Sequence, residues 1–215
     1  MILILAVLIF SVVAHEVAHG WQARREGDHT AERMGRLTLN PVAHLDPVGS
    51  VILPLILYLT HAGFIFGWAR PVPVNPLNYR DRKWGDIRVS LAGVTVNFLL
   101  ALAATLAGGA ILGVQGLVGT LGGVLPTLFN ASVYAIFINL ILALFNLIPI
   151  PPLDGSHVVV HLLPPEAAVR YQRAGRYGIL VIMGLFFLFP NFFRLLLWPV
   201  NLFMGAADAF FGLWT

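Results

Sequence analysis

The sequence predicts an all-α membrane protein: a polytopic helical bundle with a core of about three transmembrane helices plus a re-entrant or hairpin segment. Three observations carry this. Of 215 residues, 58% are hydrophobic and 11% charged, against about 25% charged in a soluble globular domain, which leaves too little polar surface for a water-soluble sphere. The apolar residues gather in runs of about twenty, the length a helix needs to cross hydrocarbon. The charges gather between the runs. Lys and Arg outnumber Asp and Glu by 13 to 10, net +3, but no basic stripe lies outside the gaps, so the balance reports membrane orientation and no nucleic-acid partner is expected. The length fits one integral membrane domain, 1–215. There is no Cys, which excludes disulfides, zinc ribbons, thiolate catalysis and iron–sulfur clusters; any metal must be held by His, Asp or Glu.

The first run, Met1–Trp21, is apolar except at Ser11, His15, Glu16 and His19. It lacks the charged start of a signal peptide and carries a His-Glu pair where a cleavage site would lie, so it reads as a span. Gln22–Pro47 follows, polar, with Arg24, Arg25, Arg33 and Arg36 and turn signals at Glu26-Gly27-Asp28 and Asn40-Pro41. The second run, Val48–Trp68, is interrupted by Pro54, His61 and Gly63. Arg70–Arg88, with Pro71, Pro73, Asn75-Pro76 and five basic residues, reads as extended or turn backbone and not as helix. The third run, Val89–Gly113, is uncharged, with Gly93, Asn97, Ala101, Thr105, Gly109 and Gly113 at four-residue spacing, small enough for a partner helix to approach. That stripe drifts around the helix, so the contact must cross at an angle. Val114–Pro126 is a Gly-rich loop without Lys or Arg; Thr127–Ile148 is the fourth run, with small or polar residues at the same spacing, the natural partner of the third. The chain closes with a proline-broken stretch from Pro149, a segment Ser156–Leu163, a basic stretch with Arg170, Arg173 and Arg176, and an apolar region Tyr177–Trp214 expected to break at Pro190 and Pro199.

His15-Glu16-Val17-Ala18-His19 matches H-E-x-x-H within a helical run. One turn apart, His15 and His19 project from one face and can supply two nitrogens to a tetrahedral Zn²⁺, with Glu16 beside them as a base. Two His and one Glu within a hydrophobic span cost several kcal/mol unless paired or metal-bound, so they mark a functional site. A third ligand is needed, and the candidates are His29, His44, Asp46, His61, Asp154, His157 and His161. Asp154 stands out: it follows the end of the fourth run as His15 and His19 lie near the end of the first, and Pro149, Pro151 and Pro152 hold the intervening backbone extended. Non-helical backbone at that depth is tolerated only where it is buried in protein or lines a wet cavity.

His15-Glu16-x-x-His19-Gly20 and Asn146-x-x-Pro149-x-Pro151-x-Leu153-Asp154-Gly155, in this order, resemble the site-2 proteases, zinc metalloproteases that cut within the membrane. The compact form without extra soluble domains is the nearest likeness. Its pattern Gly27-Asp28-x-Thr30-Ala31, Gly35-Arg36-Leu37-Thr38-Leu39-Asn40-Pro41, His44-x-Asp46-Pro47-x-Gly49 and Phe66-Gly67-Trp68-Ala69-x-Pro71-Val72-Pro73-Val74-Asn75-Pro76 is present. The resemblance implies that His15, His19 and Asp154 bind zinc, that Glu16 is the base, and that the substrate is a transmembrane protein helix, locally unwound. The family's Gly-Pro-x-x-Asn appears as Gly93-Val94-Thr95-Val96-Asn97, which lacks the Pro and keeps the Asn. Asn97 and Asn146 are candidates for holding substrate backbone or an oxyanion, with helix–helix hydrogen bonding as the plainer role.

Topology follows from the site. The ends of the first and fourth runs must meet at one zinc, so an even number of crossings lies between them; runs three and four supply two. Val48–Trp68 therefore enters and leaves on one side, bending near Pro54 or His61–Gly63. Basic residues place that side, and the opening of the active site, toward the cytoplasm of a multi-pass cell-membrane protein. Lesser candidates have plainer readings. His157 and His161 have i,i+4 spacing without an acid between them and read as a helix face; His44 and Asp46 fit a turn as well as a gate; Trp68, Trp84, Trp198 and Trp214 flank apolar runs as interfacial anchors. The rival function is a membrane metal-binding transporter or channel without protease activity. The Glu inside the His pair, and the lack of matching broken helices in two halves of the chain, argue against it.

Overall fold

The computed structural model describes residues 2–60 and 69–214. Its first helix, α1 (Ile2–Glu26), stops where Gly27 adopts φ 109°. The Gly27 N–H donates to Arg24 O and the Asp28 N–H to Ala23 O, the paired closure of a Schellman end. A short α2 (Thr30–Arg33) and a 3₁₀ turn (Pro41–His44) follow. Asp46 then accepts from the Val48 and Gly49 N–H groups, capping a π-helical stretch (Pro47–Ile52) that runs directly into α3 (Leu53–Leu59). Pro54, one of the two positions expected to bend, falls at the second residue of α3, within the continuous helical stretch 47–59. The other expected bend, His61–Gly63, lies outside the described residues.

The Arg70 N–H donates to His44 O at 2.8 Å. The two ends of the 45–69 segment are thus pinned together, and whatever path the segment takes, it returns to where it left. This satisfies the parity requirement drawn from the sequence.

Residues 69–75, without regular secondary structure and extended at Asn75, lead through a 3₁₀ turn (Pro76–Asn78) to α4 (Arg82–Val118). The long helix corrects the sequence reading at both ends. Arg82–Arg88 is helical although hydropathy excludes it from the run, because the Asp81 carboxylate accepts from the Trp84 N–H and starts the helix two turns early. At the other end α4 runs through the expected loop to Val118. A 3₁₀ turn (Leu121–Gly123) then leads into α5 (Val124–Asn146). The chain continues with α6 (Gly155–Leu162), α7 (Pro165–Ala174), α8 (Gly178–Leu188) and α9 (Pro190–Phe211). No strand occurs among the described residues. Helices α1, α4 and α5 are long and apolar enough to cross a membrane, matching the expected core of three.

The small-residue stripe of α4 finds different partners along its length, which is what its drift requires. Gly93 faces His15 and His19 of α1; Gly108 faces Ser132 of α5 and Phe211 of α9; Gly109 and Gly113 lie under Phe210 and Trp214. The fourth run is therefore only one of three partners. Ala101, Ile136, Leu140, Val200, Ala207 and Phe211 form the buried core between α4, α5 and α9. Trp214 packs on glycine as well as facing out, whereas Trp84 and Trp198 stay exposed as anchors do. Trp68 lies outside the described residues.

Of the two breaks expected in Tyr177–Trp214, Phe189–Pro190 separates α8 from α9, but α9 continues through Pro199. In apolar surroundings a broken helix would leave several backbone groups unpaired where Pro199 leaves one. Gly178, at the start of α8, lies against Pro151, while Trp214 lies against Gly113, about 30 Å along α4 from Gly93 at ~1.5 Å per residue. The region therefore passes once from the Pro151 end of the bundle to the far end, broken between α8 and α9.

Candidate metal centre

His15 and His19, one turn apart on α1, bring their Nε2 atoms to 3.0 Å from each other. Asp154 Oδ2 lies 3.2 Å from the first and 3.5 Å from the second. A tetrahedral ion with bonds of about 2.0–2.1 Å needs ligand atoms about 3.3 Å apart, so the three edges fit one such ion.

The protonation of both imidazoles is set by their other nitrogens. His19 Nδ1 donates to the carbonyl of Val89, 2.7 Å away, which can only accept. For His15 the same logic runs through two amides. The Ala135 carbonyl accepts from Asn139 Nδ2; this turns Asn139 Oδ1 toward Asn97, whose Nδ2 donates to it at 2.7 Å. Asn97 Oδ1 is thereby left facing His15 Nδ1 at 2.5 Å, so that nitrogen carries the proton. Both Nε2 atoms then present lone pairs to each other and to a carboxylate. Asp154 Oδ2 is buried and has no donor. Three such atoms in mutual contact can hold a cation between them, and two imidazoles with one carboxylate are a donor set that zinc accepts.

Close backbone approaches build the centre. A Cβ on Gly93 would lie 2.6 Å from both His15 Cε1 and His19 Nε2, so only glycine lets α4 pass behind the pair. Gly155 lies against the Leu147 carbonyl so closely that a Cβ would overlap it, which folds the loop carrying Asp154 onto the end of α5. The Tyr171 hydroxyl donates to Pro149 O at 2.7 Å, and Gly175 and Gly178 seat against Pro151, so the helices after the loop hold its prolines.

Glu16 Oε2 accepts the Val72 N–H at 2.9 Å. That N–H is delivered by the 69–75 segment, which two buried side chains hold down. Arg36 Nη2 donates to the carbonyls of Arg70 (2.9 Å) and Pro71 (3.4 Å). Asp28 accepts from the Asn75 N–H (2.6 Å), from Asn78 Nδ2 (2.8 Å) and from both the N–H and the hydroxyl of Thr30. Gly20, the residue after the second His, leaves room for Val72 and Leu37, whose methyls a Cβ would meet at 2.7 and 2.5 Å.

Asn97 is placed otherwise than a substrate contact would require. It is 0% exposed, and both amide atoms are used inside the protein, on His15 and Asn139. Asn146 Nδ2 donates to Leu142 O of its own helix. His29 pairs with Glu32, Asp46 caps the π-helical stretch, and His44 donates to Thr38 O. His157 and His161 both reach Asp86 Oδ2. Sequence reasoning missed Gly93 and Asn139 as parts of the centre; both sat in the small-residue stripes, which signalled closeness without saying to what.

The profile of Peptidase family M50 matches residues 3–189. YwhC of Bacillus subtilis, named as a zinc metalloprotease, is 37% identical over 184 residues, covering 83% of this chain and 77% of that protein. Rip2 of Mycolicibacterium smegmatis, also named as a zinc metalloprotease, is 31% identical over 206 residues, covering 92% and 72%. Rip2 of Mycobacterium tuberculosis H37Rv is 30% identical over 208 residues, covering 94% and 74%. No solved structure gives a significant match. With three membrane-length helices around a His₂Asp cluster, and with relatives named as zinc metalloproteases over most of its length, the chain belongs to peptidase family M50, the intramembrane zinc metalloendopeptidases of the site-2 protease type.

Proposed function

We propose that His15, His19 and Asp154 hold the zinc ion, that Glu16 is the base, and that the protein is one membrane domain cutting transmembrane segments of other proteins. The observation that carries this is the convergence of two Nε2 lone pairs and the donorless Asp154 Oδ2, with Glu16 on the same turn of helix. Zinc bound there supplies a Lewis acid and lowers the pKa of water toward about 7. Glu16 is pre-oriented: Val72 occupies Oε2, leaving Oε1 to take a proton from water and return it to the leaving amine. The imidazoles keep their Nδ1 protons on Asn97 and Val89, so neither ligand drifts to the other tautomer. A helical substrate must be unwound before its carbonyl is reachable, and the non-helical 69–75 backbone beside Glu16 offers an edge for such a strand.

The orientation follows from charge. Arg24, Arg25, Arg33, Arg36, Arg70, Arg80, Arg82, Lys83 and Arg88 all lie between the last turn of α1 and the first turns of α4, while residues 119–123 between α4 and α5 carry none. This argues for a site that opens to the cytoplasmic side of the cell membrane. Glu16→Gln is the test: zinc content is expected to stay at the wild-type level while cleavage of a membrane-embedded substrate falls about 10²–10⁴-fold. Cleavage at the wild-type rate would remove Glu16 as the base.

A further inference from the structure

We propose that Asp86 is a positioning residue for the zinc centre, holding Asp154 in place through His157 and His161. The inference rests on the ligand assignment above. Two of the three ligands are oriented by α4, His19 by the Val89 carbonyl and His15 by Asn97. Asp154 has no such partner; it comes from the loop that leads into α6 and its Oδ2 accepts from no donor. Asp86 lies on the same face of α4, seven residues before Gly93 and eleven before Asn97, which at about 100° per residue puts each within about 20° of Asp86 and all three within about 40° of one another.

From that face Asp86 Oδ2 takes both imidazoles of α6, His157 Nδ1 at 3.1 Å and His161 Nε2 at 2.8 Å. One contact would leave α6 free to rotate about it. Two contacts a full turn apart fix the azimuth and tilt of a helix only eight residues long, whose first residue follows the ligand. Gly155 fixes the other side against the Leu147 carbonyl. An exposed ion pair would do little of this, but the Asp86 side chain is only 13% exposed and that of His161 22%, so this contact is largely shielded from water. Each of the three ligands is in this way referred to one rigid helix.

The test measures zinc affinity by chelator competition, and the d–d spectrum of the cobalt-substituted protein, on the full chain in detergent. Asp86→Ala is expected to weaken zinc binding about 10–100-fold and to change the cobalt band positions or intensities, because the Asp154 oxygen shifts. The double variant His157→Gln/His161→Gln, which leaves Asp86 in place, is expected to give the same spectral change, and adding Asp86→Ala to it is expected to add little. Wild-type affinity and an unchanged cobalt spectrum in Asp86→Ala, or in the double variant should the first not fold, overturn the proposal. Asp154→Ala separates this from the underlying reading: if it keeps wild-type zinc affinity the ligand assignment fails, whereas its loss of zinc beside an unaffected Asp86→Ala sinks the positioning role alone.

Discussion

Asn139 hydrogen-bonds to none of the three proposed zinc ligands, yet it decides which way Asn97 points and hence which nitrogen of His15 carries the proton. Its Nδ2 is spent on Ala135 O and Ser11 Oγ, so Oδ1 is the only atom it can offer Asn97. Asn139→Ala removes that acceptor and frees Asn97 to turn its NH₂ toward His15, where two donors would meet. Zinc affinity, measured by chelator competition, is expected to fall about tenfold, at the lower end of the range for partners beyond the ligands; an unchanged value would mean that Asn97 is held by its packing alone. His15 and His19 were readable as a candidate pair because H-E-x-x-H is a local pattern on one helix face. Asn97 was visible as a polar residue in a span, but its role was not, since a carbonyl 38 residues further along the chain sets its orientation. Gly93 was visible as a small residue and as the start of the Gly93–Asn97 pattern, but not as the place where α4 passes His15 and His19, because a close approach cannot be seen from one side.

Among the elements, the 69–78 segment is the least regular and the one on which Glu16 depends. Asp28 is its anchor. Burial alone would raise the pKa of this carboxyl, but the hydrogen bonds from Thr30, Asn78 and Asn75 outweigh it and hold the value below normal. A folded pKa below the unfolded ~3.9 means that the stabilisation is fully present above that value and is lost as pH falls through the folded pKa. Asp28→Asn is expected to lower stability at pH 7 by on the order of 2 kcal/mol, as charge-assisted hydrogen bonds weaken. The difference from wild type should shrink on acidification toward pH 3, followed as melting temperature in detergent; a constant offset would show that Asp28 acts through shape and not charge. Helix boundaries were the least legible elements. Hydropathy marks where a helix meets lipid, whereas Arg82–Arg88 is helix beyond it, set by the Asp81 cap and held by the bidentate pair between Arg88 and Glu26. Pro199 misled in the opposite direction, since helix persists where the alternative exposes backbone to an apolar core.

At the scale of the molecule, α4 is the frame. Its 37 residues extend about 55 Å at ~1.5 Å each, against a hydrocarbon core of about 30 Å, and the exposed charges of Arg82, Lys83 and Arg88 mark the end expected to stand in water. The chain has no Cys, so single cysteines can be introduced without background. A cysteine at Thr120 is expected to react with an impermeant maleimide on intact cells, and one at Glu32 only after permeabilisation. The reverse pattern would invert the orientation, and labelling of both on intact cells would break the parity of crossings. The number of spans and the returning second run were both recoverable from the distribution of charge and the need for two helix ends to meet at one site.

The hydrogen bond from Arg70 to His44 has a consequence for how such a chain can change. It holds the two ends of the 45–69 stretch side by side, so a change of length between them need not displace the Val72 N–H that meets Glu16. Doubling the length of a closed loop costs only about 0.6 kcal/mol. Insertions between Gly49 and Phe66, clear of the motif residues at either end, are therefore expected to be tolerated more readily than insertions between Arg70 and Asn75, where the backbone meets Glu16.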